Sequence, residues 1–270
     1  MSNTVRLGLI GLALVAIIGG GVAAFIWFSG GDAEPSQDVN EALNAQLAEA
    51  EAAAPDPSAD EPAEAEAAAP DPSADEPVSA EAADDTPAAN LVSFRILTDE
   101  SEARFSLQED LRGQRVTVVG TTPEVAGIIR IDRETPANTQ MEPILVNVRP
   151  LRTDNEFRDR AIRGQILNSN QDQYEFVRFT PTGLSGLPEA VKVGEPFTFE
   201  ITGDLTVRDI TRPETFTVTV TPVSETRIEG RAATEILRSN YDLTIPEVPS
   251  VANVTDEVQL EFDFAAQAES

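Results

Sequence analysis

Cysteine and histidine are both absent from the 270 residues of the sequence. Without cysteine the chain has no disulfide and no thiol nucleophile, although a domain of about 180 residues buries an adequate core without disulfides. Without histidine, Ser-His-Asp triads, Cys-His pairs and His-ligated zinc are excluded, as is the usual general base near neutral pH. We therefore expect a protein that is not an enzyme, with no catalytic residues and no metal site.

Positive charge is scarce. The sequence has 19 Lys and Arg against 47 Asp and Glu, which gives a net charge of −28. Residues 32–90 hold 17 of the acidic residues and no Lys or Arg, whereas residues 91–270 hold 30 acidic and 18 basic residues. Because an acidic chain is poorly suited to nucleic acid, we expect no nucleic-acid partner.

A long apolar run covers residues 7–28, which include no charged side chain. At about 1.5 Å per helical residue, this run is long enough to cross a hydrocarbon core of about 30 Å. A cleaved signal peptide is the alternative, but the apolar run continues through Trp27 and Phe28 beyond a possible cleavage site at Ala24. Since Arg6 flanks the run, we predict that residues 1–31 form a transmembrane anchor with a cytoplasmic amino terminus and an extracytoplasmic carboxyl-terminal domain.

Residues 32–90 contain an exact tandem repeat. The 15-residue block AEAEAAAPDPSADEP occupies residues 48–62 and again residues 63–77. An exact repeat indicates little positional constraint, and its prolines interrupt helix formation every few residues. We predict a disordered acidic linker over residues 32–90, with a short helix near residues 38–51, that spans roughly 40 Å as a flexible coil.

From residue 91 onward, apolar and polar residues alternate in short runs. Phe197, Phe199 and Ile201 share one face of a predicted strand, with Thr198 and Glu200 on the other. One helix is predicted from an N-cap at Asp154 to about residue 167. The pattern favours an all-β fold, an antiparallel β-barrel over residues 91–270, with an immunoglobulin-like sandwich as the alternative. The predicted strands lie near residues 92–98, 102–108, 114–121, 125–132, 143–149, 174–180, 197–206, 215–221, 225–235 and 258–264.

Four segments resemble motifs of one family. Residues 203–213 (GDLTVRDITRP) are similar to the family's turn between two long strands, and residues 153–167 (TDNEFRDRAIRGQIL) to its helical segment. Residues 237–241 (LRSNY) and 255–264 (TDEVQLEFDF) are similar to a short element and a closing strand. Over about residues 94–264 the chain thus resembles the YceI family of bacterial lipid-binding proteins.

The resemblance implies a lipocalin-like antiparallel barrel around a long apolar channel. Members of the family bind the prenyl tail of a polyisoprenoid or quinone, or a similar amphipathic lipid, and this binding mode implies no catalytic residues. The sequence departs from the family pattern at Asp209, where the turn usually has glycine, and in the helical segment, where a histidine is often found.

Candidate site residues follow from the strand faces and from the helical segment. The inward-facing apolar residues are predicted to line a lipid cavity, with a filled core as the alternative. They are Phe105, Val118, Ile129, Phe197, Phe199, Ile201, Phe216, Val218, Leu260 and Phe262. A second group is predicted to meet a polar headgroup at the mouth of the barrel, with helix capping, ion pairing and a structural latch as alternatives. It consists of Asp154, Asn155, Arg158, Asp159 and Arg238.

These observations support one leading hypothesis and two alternatives. The leading hypothesis is a single-pass membrane protein whose extracytoplasmic barrel holds an isoprenoid or quinone tail as a carrier or store. It requires no cofactor besides the bound lipid. The alternatives are a structural or adhesive domain with a solid β core, and an enzyme that acts on a lipid. The hypothesis leaves the lipid and the oligomeric state open.

Overall fold

The computed structural model describes residues 36–53 and 91–269. The predicted anchor at residues 1–31 and the second copy of the repeat, residues 63–77, lie outside the described residues. Within the two described ranges, none of the helices has the length and apolar character needed to cross a membrane.

Residues 91–269 fold mainly into short and long β-strands, all paired antiparallel. The strands are β1 (Leu91–Ile96), β2 (Glu102–Leu111), β3 (Gln114–Thr122), β4 (Val125–Ala126), β5 (Ile128–Asp132), β6 (Gln140–Met141), β7 (Ile144–Asn147), β8 (Phe176–Ser185), β9 (Phe197–Val207), β10 (Ile210–Ser224), β11 (Arg227–Leu237), β12 (Val251–Ala252) and β13 (Glu257–Ala268). Each strand that the alternation predicts is present, so these predictions are confirmed.

The strands form one curled sheet. Its main path runs β4-β7-β8-β9-β10-β11-β13-β1-β5-β6, and β2 pairs with β3, β12 and β13. Strands β4 and β5 are separated only by Gly127, whose carbonyl oxygen accepts a hydrogen bond from Ile96 N of β1 at 3.0 Å. The expected all-β antiparallel fold is therefore confirmed as a curled half-barrel with one short helix. Because the described strands share a single sheet, the two-sheet sandwich is excluded.

Strands β9 and β10 show why the sequence alternates. Their outward threonines pair across the strands, with hydroxyl oxygens 3.0 Å apart for Thr198 and Thr219 and 3.1 Å apart for Thr202 and Thr215. The inward positions of the same strands carry large apolar side chains. Period-two alternation thus places a polar face toward solvent and an apolar face toward the interior.

Asp209, the position where the sequence departs from the family pattern, lies in the turn between β9 and β10. The left-handed residue of this turn is Arg208, with φ of 56°, and Asp209 is not left-handed. The Asp209 side chain instead accepts a hydrogen bond from the Tyr174 hydroxyl at 2.6 Å. The carboxylate that replaces the family glycine therefore ties the turn to the segment before β8.

The helix predicted from Asp154 begins one residue later. Asn155 is the N-cap, since its side chain accepts from Phe157 N and Arg158 N, and helix α2 covers Glu156–Ala161. A π-helical turn, Ile162–Ile166, continues it to the predicted end. The N-cap prediction at Asp154 is wrong because that side chain pairs with Arg158, one turn further on.

A second α-helix, α1 (Val39–Ala53), precedes the sheet in sequence. Its residues Val39, Ala42 and Leu43 are buried in one cluster with Ala126, Ile128 and Leu145 of the sheet. The helix predicted near residues 38–51 is therefore confirmed, and it packs against the sheet; the rest of the predicted linker, residues 32–35 and 54–90, lies outside the described residues. The buried apolar residues of α1 span only one helical turn. In such an acidic segment, this short apolar pattern does not reveal that the helix packs against the sheet.

Candidate functional site

The curled sheet surrounds a cavity of about 330 Å³. Its wall is almost entirely apolar, and most of the lining side chains lie on the inward faces of the strands. Cavities of this size and character accommodate small apolar ligands. The cavity argues against the solid β core that the sequence left as an alternative.

All ten predicted wall residues line this cavity. They are Phe105, Val118, Ile129, Phe197, Phe199, Ile201, Phe216, Val218, Leu260 and Phe262. Val118, Ile129, Ile201 and Val218 are buried, whereas the five phenylalanines and Leu260 are only half-buried. Since these half-buried side chains point inward, their exposed surface faces the cavity.

Aromatic contacts set the shape of the wall. Phe179 and Phe216 meet edge to face with ring centroids 4.9 Å apart, and Phe197 lies 5.8 Å from Phe199. The Phe105 ring lies over Gly120 on the neighbouring strand, where an added Cβ would come within 2.3 Å of the ring. Glycine at position 120 therefore gives this ring the room that it occupies.

The sequence also contained signals for wall residues that were not predicted. Ala103, Leu107 and Glu109 share the inward face of β2 with Phe105, and all of them line the cavity. Strand alternation points to these positions. Leu187, Val191, Met141, Leu243 and Ile245 also line the cavity, but they come from loops or a two-residue strand, where no periodicity marks them.

One end of the cavity, beside helix α2, carries charged groups; we call it the α2 end. Arg158 Nη2 lies 2.8 Å from Glu109 Oε1, and both residues line the cavity. Glu109 is 5 % exposed, so its negative charge depends on the arginine for stabilisation. Because Glu109 follows the alternation of β2, its position on the wall is marked in the sequence; Arg158 was predicted at the mouth, but its pairing with Glu109 was not.

Arg238 is the other predicted mouth residue that lines the cavity. Its Nε donates to Thr255 O at 3.1 Å and its Nη1 to Leu243 O at 3.0 Å. The adjacent Ser239 hydroxyl donates to Asp256, which holds the pKa of that carboxyl below its usual value. These bonds support the structural latch that was the alternative to headgroup contact for Arg238. The side chain also lines the cavity wall.

The remaining three mouth predictions fall outside the cavity wall. Asp154 is exposed and pairs with Arg158, and Asn155 caps α2. Asp159 is 5 % exposed and accepts from Thr153 N at 2.8 Å and Thr153 Oγ1 at 2.6 Å. These residues build the α2 segment, which in turn positions Arg158. In residues 36–53 and 91–269 there is no cluster of three or more acidic side chains suited to a metal ion.

The chain matches the model of one protein family and superposes on two solved structures. The family model of the YceI-like domain matches residues 94–266. A polyisoprenoid binding domain from Saccharophagus degradans, implicated in plant cell wall breakdown, superposes with a TM-score of 0.52 at 15% identity, covering 66% of this chain and 99% of that one. BcnA of Burkholderia cenocepacia superposes with a TM-score of 0.51 at 16% identity, covering 64% and 99%.

A search of curated proteins gives no match. At 15–16% identity the two solved structures establish a shared fold, and the family model establishes membership. Through the domain at residues 94–266, the chain belongs to the YceI-like family.

Proposed function

We propose that this protein holds the apolar tail of an isoprenoid or an isoprenoid quinone inside its curled sheet. The observation that carries the proposal is the cavity, which is walled by inward apolar and aromatic side chains from most of the strands. Membership of the YceI-like family supports it, as does the description of the Saccharophagus degradans domain as polyisoprenoid binding.

The driving force is the removal of the lipid tail from water. Burial contributes about 0.8 kcal/mol for each methylene group. A prenyl chain of several units therefore gains several kcal/mol, from which the cost of ordering the chain is subtracted. The wall is mostly apolar, so binding and release, rather than turnover, are the proposed activity.

The α2 end is the proposed place for the polar head of the lipid. Arg158, Glu109 and Arg238 are the charged groups that meet the wall there. A hydroxyl, phosphate or quinone oxygen at this end finds hydrogen-bond donors, while the tail lies along the phenylalanines. This orientation keeps the head away from a wall that offers it no partners.

The apolar run at residues 7–28 is the proposed membrane anchor. It places the lipid-binding domain outside the cytoplasm and near its lipid source, as a carrier or a store. This part of the proposal rests on the length of the apolar run and on Arg6, as the sequence gives them.

Extraction of the purified full chain with organic solvent, followed by mass spectrometry, tests the proposal. We expect a co-purifying isoprenoid lipid in the native chain and a several-fold lower yield in Ala232→Phe, which adds a ring to the cavity wall. The matched control is Ala233→Phe, because the next residue of β11 faces away from the cavity and does not line it.

Two outcomes would contradict the proposal. One is the absence of any lipid from the native chain together with no uptake of an added isoprenoid quinone. The other is an equal yield of lipid from Ala232→Phe and the native chain while both are folded, because the added ring then leaves the lipid site untouched.

A further inference from the structure

Helix α1 is held on the outside of the sheet by a buried polar cluster as well as by its apolar stripe. Ser36 Oγ donates to Glu175 Oε1 at 2.7 Å, and Asn147 Nδ2 donates to Ser36 Oγ at 2.6 Å. Asn147 and Glu175 are 0 % exposed, and Arg149, 2 % exposed, lies 3.3 Å from Glu175. Buried charges and amides of this kind are fixed in position because their neighbours must satisfy them.

The contacts of α1 continue along its length. Asn40 Nδ2 donates to Thr98 Oγ1 at 3.1 Å, and Asn44 Oδ1 accepts from Arg95 Nη1 at 3.4 Å. The helix therefore runs across the outer face of the sheet, from Glu175 toward β1. Residues 36–53 are part of the folded domain and do not act as a free spacer.

The start of α1 lies at the α2 end of the cavity. Phe176, next to Glu175, pairs with Asn147, and Arg178 pairs with Thr206 near the tip of the β9–β10 hairpin. Tyr174 contacts Asp209 in that same hairpin turn. Ser36 is thus attached beside the end that carries Arg158 and Arg238.

This position limits how far the α2 end can lie from the proposed anchor. From residue 28 to residue 36 there are eight Cα–Cα steps, which reach at most about 29 Å. Strand β10 alone has 15 residues, or about 50 Å of length. The chain that joins the anchor to the domain is therefore shorter than the sheet, and it is attached at one end of it.

One segment of the α2 end, residues 149–163, is locally positive, although this end also carries Glu109, Glu175, Asp209 and Asp256. Residues 149–163 contain five arginines and three acidic residues, although residues 91–270 as a whole carry 30 acidic and 18 basic residues. Locally positive segments are attracted to anionic lipid headgroups. Exposed apolar side chains occur at both ends, with Leu237 at the α2 end and Val223 at the other, so their exposure does not distinguish the ends.

We propose that α1 is a clamp that holds the α2 end of the cavity against the surface of the membrane that anchors the chain. The partner is the lipid bilayer itself, and the clamp rests on the proposed anchor and lipid-binding function. It follows that residues 54–90 connect two points of one folded body, the end of α1 and the start of β1. The repeat-containing segment then joins two parts of the domain and is not the tether.

Fluorophores attached to single cysteines test the clamp, since the sequence contains no native cysteine. Leu237→Cys marks the α2 end and Val223→Cys the opposite end; both native side chains are exposed. The full chain is placed in vesicles of phosphatidylcholine and phosphatidylglycerol with a spin-labelled headgroup that quenches the fluorophore. We expect several-fold stronger quenching at position 237 than at position 223.

Three variants of the chain distinguish the proposed clamp from a model in which residues 32–90 act as a long flexible spacer. A Gly-Ser insertion within residues 29–35 leaves the contacts of α1 with the sheet intact. It is expected to bring the ratio of quenching at position 237 to quenching at position 223 close to one. Val39→Asp with Leu43→Asp undocks α1 and is expected to do the same. Deletion of residues 63–77, one copy of the repeat, is expected to leave the ratio unchanged.

Equal quenching at both positions in the native chain would overturn the clamp, as would a ratio that survives the Gly-Ser insertion or changes on deletion of the repeat. Mass spectrometry of lipid from the same preparations separates this proposal from the proposed function. Lipid present with equal quenching contradicts only the clamp, whereas lipid absent with unequal quenching contradicts only the lipid-binding function.

Discussion

Tyr241 is a buried hydroxyl beside the apolar wall. It is 1 % exposed, it packs in a cluster with Leu205 and Val258, and its hydroxyl donates to Glu214 Oε1 at 2.8 Å. Burial, and then the hydrogen bond to Glu214, raise the pKa of Tyr241 well above its ordinary value. The hydrogen bond to Asp209 likewise raises the pKa of Tyr174, the other tyrosine in the sequence.

These two shifts predict a fall in stability at alkaline pH. Above about pH 10 an unfolded tyrosine loses its proton while the folded one keeps it, so the free energy of unfolding falls as the pH rises. Urea denaturation across this range measures the fall, and Tyr241→Phe is expected to remove part of it. A phenolate absorbance that already appears in the folded protein near pH 10 would contradict the assignment.

Asp159 is predicted to stabilise the α2 segment without contacting the lipid. Asp159→Ala leaves Thr153 N and Oγ1 without their acceptor, at a cost of about 1–3 kcal/mol in the free energy of unfolding. Urea denaturation measures this loss, and the yield of co-purified lipid from the folded fraction is expected to stay at the native level. A variant of native stability that loses its lipid would instead assign Asp159 to the headgroup.

At the scale of elements, the attachment of α1 depends on the polar cluster beneath it. Glu175→Ala removes the buried carboxylate partner of Arg149 and the acceptor of Ser36, so we expect a loss of about 3 kcal/mol in stability. Asp172→Ala is the matched control, because Asp172 also pairs with Arg149, at 2.8 Å, but is 73 % exposed.

Urea denaturation and hydrogen exchange together measure the two variants. We expect the amides of residues 39–53 to lose protection in Glu175→Ala and to keep it in Asp172→Ala. Similar losses in both variants would mean that Arg149 and its exposed partner, rather than Glu175, secure the helix.

At the scale of the whole molecule, lipid in the cavity is predicted to stabilise the fold. A ligand at one hundred times its Kd adds about 2.7 kcal/mol to the free energy of unfolding. For a domain of this size that corresponds to a rise in Tm of about 5–10 °C. Delipidated protein with an added isoprenoid quinone is expected to show this rise, and Ala232→Phe to show little of it. No rise in the native chain would count against a lipid site.

Much of the site is determined locally, because the side chains of a strand alternate between two faces whatever the strand pairs with. The alternation in β9, β10 and β13 was therefore enough to place Phe199, Val218 and Phe262 on the inner wall. It was also enough to predict the strands and an all-β antiparallel fold, whereas the helical segment was predicted from an N-cap position. The absence of histidine and the apolar run at residues 7–28 are likewise properties of the sequence alone.

Contacts between distant segments required the tertiary structure. The pairing of Arg158 with Glu109 spans 49 residues, and that of Ser36 with Glu175 spans 139. The docking of α1 depends on such contacts, since its stripe of Val39, Ala42 and Leu43 is too narrow to distinguish it from an acidic linker. Whether the inward phenylalanines fill a core or border a cavity depends in the same way on the curvature of the sheet, which sets the space between facing walls and which no single strand encodes.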